Sequence, residues 1–386
     1  MKPIVSEGRV IGLDVARALA LIGMMATHIL PAFEDGEVTF SQQLAGGRAS
    51  ALFAVLAGTS ISLMSGRTSP QHGRERTATS AGLAVRALLI AAIGLALAEL
   101  DSGIAVILTY YGVLFLLAIP FLGLRARSLV ALSAVWVVAA PVVSHLVRPH
   151  LPAPSYGSPA FDGLVAPWQL LTELTFTGYY PAVPWTAYLF AGMALGRMRL
   201  SRSGTTAAVG VVGAALAAAS VLVSDLLIAR PGVWGTLVET FVGPAAVESL
   251  SANLERGLYG TTPTGSWWWL AVRAPHSGTP FDLAHTIGTS LLVIALCVAA
   301  GRVAPRLLAV AFGAGAMTLT LYSAHVVLRS PGLWDSDTMS TFLGQVALVL
   351  LVGAAFRLAR RRGPLEAGVG EVQAAVRRAA AETPQR

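Results

Sequence analysis

Charge is scarce in this chain. Asp, Glu, Lys and Arg make up 12% of its 386 residues, against 55% hydrophobic residues, where soluble domains carry about 25% charge. That deficit excludes an ordinary soluble domain. Cysteine is nearly absent: Cys297 is the single one, so an intramolecular disulfide and a Cys-based metal site are excluded. Lysine is reduced to Lys2, and the basic residues, although they leave a net charge of +7, gather in no single patch or helix. Nucleic acid is therefore not an expected partner. No repeat of fixed period is visible, and no small-x-small cleavage site follows the first apolar run cleanly. That run carries Asp14 and Arg17 and reads as a retained helix.

Apolar runs of about twenty residues, the length that crosses a bilayer core, are abundant. The expected fold is all-α: a polytopic membrane bundle of about ten spans, near 11–30, 47–66, 82–100, 103–123, 128–148, 180–198, 205–229, 281–301, 307–329 and 339–359. One domain would cover 1–363, with long extracytoplasmic loops near 149–179 and 230–280, followed by a cytoplasmic tail, 364–386, able to lie as an amphipathic helix on the inner leaflet. Arginines cluster in alternate connections (Arg67, Arg74 and Arg76; Arg125 and Arg127; Arg197, Arg199 and Arg202) and acidic residues in the others (Glu34, Asp35, Glu37; Glu99, Asp101). The positive-inside rule then puts both termini in the cytoplasm. The expected location is the inner or plasma membrane, with the lipid bilayer as the first partner.

The first span holds the pattern that organises the rest. Arg17 and His28 are eleven residues apart, almost three helical turns, so they share one face about 20° apart in projection and roughly 16 Å apart along the axis. Asp14 sits one turn before Arg17, within pairing reach. Ionisable groups inside a membrane are costly, face the bundle interior and mark function by default.

Two further histidines fall at the depth of His28. Asp282 and His285 open the eighth span one turn apart, and His325 lies toward the outer end of the ninth, with Tyr322 one turn before it. Three imidazoles can hold a metal, but no carboxylate–histidine spacing supports one, and the expectation is an acid–base site without metal. Arg48 opens the second span from the same side, either paired with Glu34 or Asp35 on the surface or reaching a substrate. Tyr180 and Trp185 enter the sixth span as a cavity wall or an interface anchor. The inner arginines serve as topology signals and lipid contacts, and some of them can bind donor phosphates.

Arg17, ten intervening residues and His28 resemble the R-x10-H signature of transmembrane acyltransferases. Leu13-Asp-Val-Ala-Arg-Ala-Leu-Ala, Tyr180-Pro-Ala-Val-Pro-Trp, Gly192-Met-Ala-Leu-Gly-Arg197, Ile287-Gly-Thr, Leu319-Thr-Leu-Tyr-Ser-Ala-His325 and Arg362-Gly-Pro-Leu-Glu366 are similar to the heparan-alpha-glucosaminide N-acetyltransferase-like family and its bacterial YeiB-like relatives. The resemblance implies acyl transfer from cytosolic acyl-CoA, with acetyl-CoA as donor substrate and no permanently bound cofactor, to an extracytoplasmic sugar, glycan or glycolipid acceptor. It leaves a homodimer open. It implies that His28 acts as base or acyl carrier, assisted by Asp282, His285 and His325. Arg17, with Arg67, Arg74 and Arg76, would hold the donor, and Arg48, Tyr180, Trp185 and Tyr322 the acceptor. The Arg-x-x-Arg pattern some relatives carry after the second span is absent, and Arg74-Glu-Arg76 is the nearest equivalent. A transporter lining a proton-coupled path with the same polar face is the competing class; inverted repeats would favour it, and none is visible.

Overall fold

The computed structural model describes residues 9–241 and 250–382. Lys2, and the part of the second long connection at 242–249, lie outside the described residues. In chain order the helices are α1 (Ile11–Ile29), α2 (Phe40–Ala45), α3 (Arg48–Met64), α4 (Gly73–Ala98), α5 (Leu108–Ala118), α6 (Ala126–Val147), α7 (Pro167–Thr172), α8 (Ala182–Gly196) and α9 (Ser203–Ile228). They continue with α10 (Val233–Glu239), α11 (Leu250–Arg256), α12 (Pro280–Val303), α13 (Pro305–Ala311), α14 (Thr318–Leu328), α15 (Met339–Leu358) and α16 (Pro364–Glu382). Strand structure among the described residues is one antiparallel ribbon of two residues a side, Phe33–Glu34 with Glu37–Val38. This is an all-α, multi-pass membrane protein.

Among the described residues, seven helical segments are long and apolar enough to cross a membrane, and Leu108–Phe121, Ala182–Gly196 and Thr318–Leu328 are apolar but shorter. These three short pieces correspond to the fourth, sixth and ninth expected spans. α8 is buried all round, and every residue from Pro184 to Gly196 is shielded, which is the signature of a helix at the centre of a bundle. Its glycines make this packing work. A Cβ on Gly192 would run into the Val55 carbonyl of α3, and one on Gly58 of α3 would run into the Leu189 carbonyl of α8. Small residues at helix crossings let backbones approach in lipid, where the hydrophobic effect gives no help between helices.

The ninth span departs from a continuous helix over 307–329. Its first part, α13, ends at Ala311, a 3-10 turn follows at Gly313–Ala316, and α14 starts at Thr318. The turn presses against α1 and α15. A Cβ on Gly315 would collide with the Asp14 carbonyl, and one on Gly313 with the Gly353 carbonyl. Irregular backbone at membrane depth is tolerated where protein buries it and its polar groups find partners. Here the partner comes from the chain's end: Glu366 of α16 accepts the amides of Leu319 (2.7 Å) and Thr320 (3.1 Å) and the Thr320 hydroxyl (2.6 Å). A carboxylate at a helix N-terminus also complements the helix dipole. The tail is therefore a docked helix over 364–382, packed on α4 with Val369 buried and Gln373 bonded to Arg86. The Arg362-Gly-Pro-Leu-Glu366 segment is the clip that holds it.

Arg197, which closes the Gly192–Arg197 segment, is buried at the opposite end of α8. It donates to the carbonyls of Ser62, Ser65, Arg67 and Leu122 and to the Ser65 hydroxyl, at 2.5–3.2 Å. These are the orphan carbonyls at the end of α3 and beyond α5. Arg197→Met should lower stability by about 3 kcal/mol or more, because it strands buried acceptors. Thermal unfolding in detergent checks this, with Arg197→Lys recovering less than half of the loss.

Candidate active site

α1 carries the polar face through the bundle as its spacing requires. At one end, buried Asp14 accepts from Arg17 Nη1 (2.9 Å) and Arg9 Nε (2.7 Å), and Arg17 Nη2 donates to Ser60 Oγ of α3 (2.9 Å). Arg9, Arg17 and Arg86 line a cavity of about 250 Å³ together with Ser60, Tyr322 and Glu366. Arg86 Nε is buried without a hydrogen-bond partner among the described residues. An unsatisfied buried donor invites an acceptor, so this cavity suits an anionic group. Arg67, Arg74 and Arg76 do not line it. Arg76 is held by the Pro120 carbonyl (2.7 Å), and Arg67 lends its own carbonyl to Arg197. Arg67, Arg74 and Arg76 thus stand apart from this cavity, whereas Arg9 and Arg86 join Arg17 in it, from the start of α1 and from the middle of α4.

At the other end of α1, His28 Nδ1 lies 3.1 Å from His325 Nε2. His325 Nδ1 is 2.8 Å from Gln345 Oε1 of α15, and Gln345 Nε2 donates to the Trp334 carbonyl at 3.1 Å. The chain of donors has one consistent order. The Trp334 carbonyl can only accept, so it fixes the Gln345 amide with its oxygen toward His325. That oxygen requires the His325 proton on Nδ1, so His325 Nε2 must accept, and His28 Nδ1 carries the proton between the rings. The lone pair of His28 is left on Nε2, which has no hydrogen-bond partner among the described residues. Tautomers are set by the partner of the other ring nitrogen. His325 and Gln345 are both fully buried, so water does not compete for these bonds.

His28 opens on a cavity of about 290 Å³ that Tyr179, Tyr180, Tyr259 and His276 also line. Tyr180 is anchored by its hydroxyl on the Ala105 carbonyl at 3.2 Å and packs edge-on against Trp185, with ring centroids 5.0 Å apart. Trp185 lies parallel to His276, and Tyr259 stacks on the same imidazole at 5.2 Å. Both Tyr259 and His276 have positive φ, 42° and 56°, a backbone cost that marks positions held by their surroundings. Burial pushes the His276 pKa down to about 4.

The expected group of three histidines does not form. His28 and His325 meet, but His285 accepts from Arg48 Nε (3.2 Å) and turns Nδ1 toward the Ala217 carbonyl of α9 (3.3 Å). It faces another cavity, shared with Arg48. Asp282 is buried and accepts the Gly278 amide at 2.9 Å, at the start of its own helix. The imidazole that joins His28 is His276, from the long connection. Tyr322 lines the cavity at the Arg17 end, where its hydroxyl accepts the Ile107 amide. Arg48 makes no ion pair with Glu34 or Asp35. No group of three or more His, Cys, Asp or Glu able to hold a metal occurs among the described residues.

The two cavities along α1 are both also lined by α3. Ser50 lines the His28 side and Phe53, one turn on, the Arg17 side. Phe53 stacks parallel on Tyr111 with centroids 5.6 Å apart, and the Tyr111 hydroxyl donates to the Ser50 carbonyl (3.3 Å).

The His276 shift predicts a pH dependence. Its folded pKa lies below the ordinary 6.5, so the neutral ring stabilises the fold fully above pH 6.5. That contribution is lost as pH falls toward about 4. The thermal midpoint should drop across this window, and His276→Gln should flatten the drop.

The family model described as "Heparan-alpha-glucosaminide N-acetyltransferase, catalytic" matches residues 9–224, more than half of the chain. The matched stretch runs from Arg9 through most of α9 and contains Arg17, His28, Tyr180, Trp185 and Arg197, whereas His276, His325 and Gln345 come after it. Comparison with curated proteins finds no match. The match shows that this chain belongs to the heparan-alpha-glucosaminide N-acetyltransferase catalytic family, and that it is a membrane transferase of the acyltransferase kind.

Proposed function

We propose that the protein moves an acyl group, acetyl in the simplest case, from cytosolic acyl-CoA to a hydroxyl or amine of an extracytoplasmic sugar or glycolipid, with His28 as general base. The observation that carries this reading is the relay Trp334–Gln345–His325–His28, which leaves an unprotonated Nε2 on the ring that lines the aromatic cavity. Aromatic walls such as Tyr180, Tyr259 and His276 suit the apolar faces of a sugar ring. Arg9, Arg17 and Arg86 supply guanidinium donors for the donor's phosphates, a task that arginine's planar fork performs well.

The chemistry then follows. The acceptor O–H or N–H attacks the thioester carbonyl while His28 Nε2 takes its proton. The tetrahedral intermediate collapses with cleavage of the C–S bond, and the departing thiolate recovers the proton from His28. His325 holds the imidazolium through the Nδ1 bond, as the orienting member of a triad does.

His28→Ala should lower acyl transfer by roughly 10²–10⁴-fold, the range of general-base catalysis, and should cost about 1–3 kcal/mol of stability because it strands the buried His325 Nε2. Gln345→Leu should lower kcat while leaving donor binding intact. Transfer assays with radiolabelled acetyl-CoA and candidate sugars read both effects. A labelled protein that accumulates without acceptor and disappears in His28→Ala would replace the general base by a covalent acyl-histidine.

A further inference from the structure

A further cavity is distinct from the two along α1. It is an apolar groove of about 870 Å³ between α1, α3, α12 and α15, with Ile22, Leu44, Leu52, Val293 and Phe342 on its walls. Arg48 and His285 line it as well. Arg48 is half-buried, yet it lacks a counter-ion. Its Nε donates to His285 and its Nη1 to the Gln43 and Gly46 carbonyls, and no carboxylate among the described residues lies within ion-pair distance. Asp282, the nearest anion by electrostatic influence, is engaged by the Gly278 amide instead. Glu34 lines the same groove without pairing.

A guanidinium facing apolar surface without a counter-ion is costly. The sequence could have removed the cost with one pairing to Glu34 or Asp35 in the neighbouring ribbon. Instead His285 braces the fork: its Nε2 must accept from Arg48, so its proton sits on Nδ1, toward Ala217, and the ring is neutral. The brace fixes Arg48 while leaving Nη2, which makes no hydrogen bond among the described residues, for an acceptor from outside the chain. The groove asks for a long apolar chain, and the cation in its wall, without a counter-ion among the described residues, asks for an anion attached to that chain.

We propose that the groove is a binding site for one lipid whose phosphate headgroup is held by Arg48 and whose chain lies along Leu52 and Phe342. The groove adjoins the cavity of His28, since Ala45 and Ala49 line both. Resting on the acyl-transfer reading, this places a lipid-borne acceptor within one layer of small side chains of the base.

The test is native mass spectrometry of the full chain released from detergent, titrated with phosphatidic acid or with phosphatidylcholine of the same acyl chains. Arg48→Gln and the groove-filling Leu52→Trp are measured beside the wild type. The expected result is at least tenfold tighter retention of phosphatidic acid by the wild type, lost in Arg48→Gln, with both lipids weakened in Leu52→Trp. Inorganic phosphate at millimolar concentration should not displace the lipid, because the chain contributes to binding; displacement would assign the site to free phosphate and overturn the lipid. Equal retention of the two lipids, or retention unchanged in Arg48→Gln, means bulk annular lipid only and overturns it as well. Should Arg48→Gln fail to fold, Arg48→Lys serves: it keeps the charge but loses the braced fork, and undiminished retention there contradicts the role of His285. The acyl-transfer reading is checked separately, since His28→Ala should retain phosphatidic acid as the wild type does whether or not transfer occurs.

Discussion

The structure depends on a hydrogen bond between two imidazoles. His28 from the first helix and His325 from the ninth span meet at 3.1 Å, in a region where water does not satisfy stray polar groups. The bond works only if every further donor and acceptor is assigned, and Gln345 and the Trp334 carbonyl complete the assignment. A buried polar network that is fully satisfied specifies one arrangement of its helices; a partly satisfied one would be worse than an apolar core. α1, α14 and α15 are thus tied together at the His28 end. At the other end Asp14 ties Arg9 to Arg17, and Glu366 ties the last helix to α14.

The short helices explain how cavities survive inside such a bundle. α5, α8 and α14 each stop short of a full crossing, and the non-helical backbone before α5 supplies Gly103 and Ala105 to the wall of the His28 cavity. The freed backbone groups are taken up locally: the Val106 amide by Ser158, the Ile107 amide by Tyr322 and the Ala105 carbonyl by Tyr180. Tyr180 and Tyr322, which the resemblance assigns to the acceptor, are therefore also a structural donor and a structural acceptor. Tyr322 is the clearest case: it belongs to the frame of the inner cavity and not to the site of His325, although it sits one turn from it.

That His28 and His325 could meet was legible in the sequence, and the rotation of α12 was not. Apolar run lengths and the arginine pattern place His28, His285 and His325 at one level, and two of the three meet. His285 turns away because α12 packs closely on α9, where Gly213 and Gly288 face each other, and that packing sets which face of α12 points to α1. His276 was invisible for a different reason: it lies in an irregular connection whose path no periodicity reports. Gln345 stood as one amide in an apolar run, with nothing in its spacing to mark it. Arg9 and Arg86 were obscured by the topology rule, which assigns every inner arginine the same role and cannot tell which of them face inward. The break at 312–317 was signalled by Gly313 and Gly315, but only the contacts with Asp14 and Gly353 show why they are there.

The central claim is that the relay fixes His28 as a neutral base with its proton on Nδ1. Solid-state NMR of the protein in bilayers, with ¹⁵N-labelled histidine and His28→Ala for assignment, measures this directly. The account predicts a protonated Nδ1 and an unprotonated Nε2 on His28 at neutral pH, with the preference relaxed in Gln345→Leu. A His28 ring protonated on Nε2, or doubly protonated at neutral pH, would contradict it.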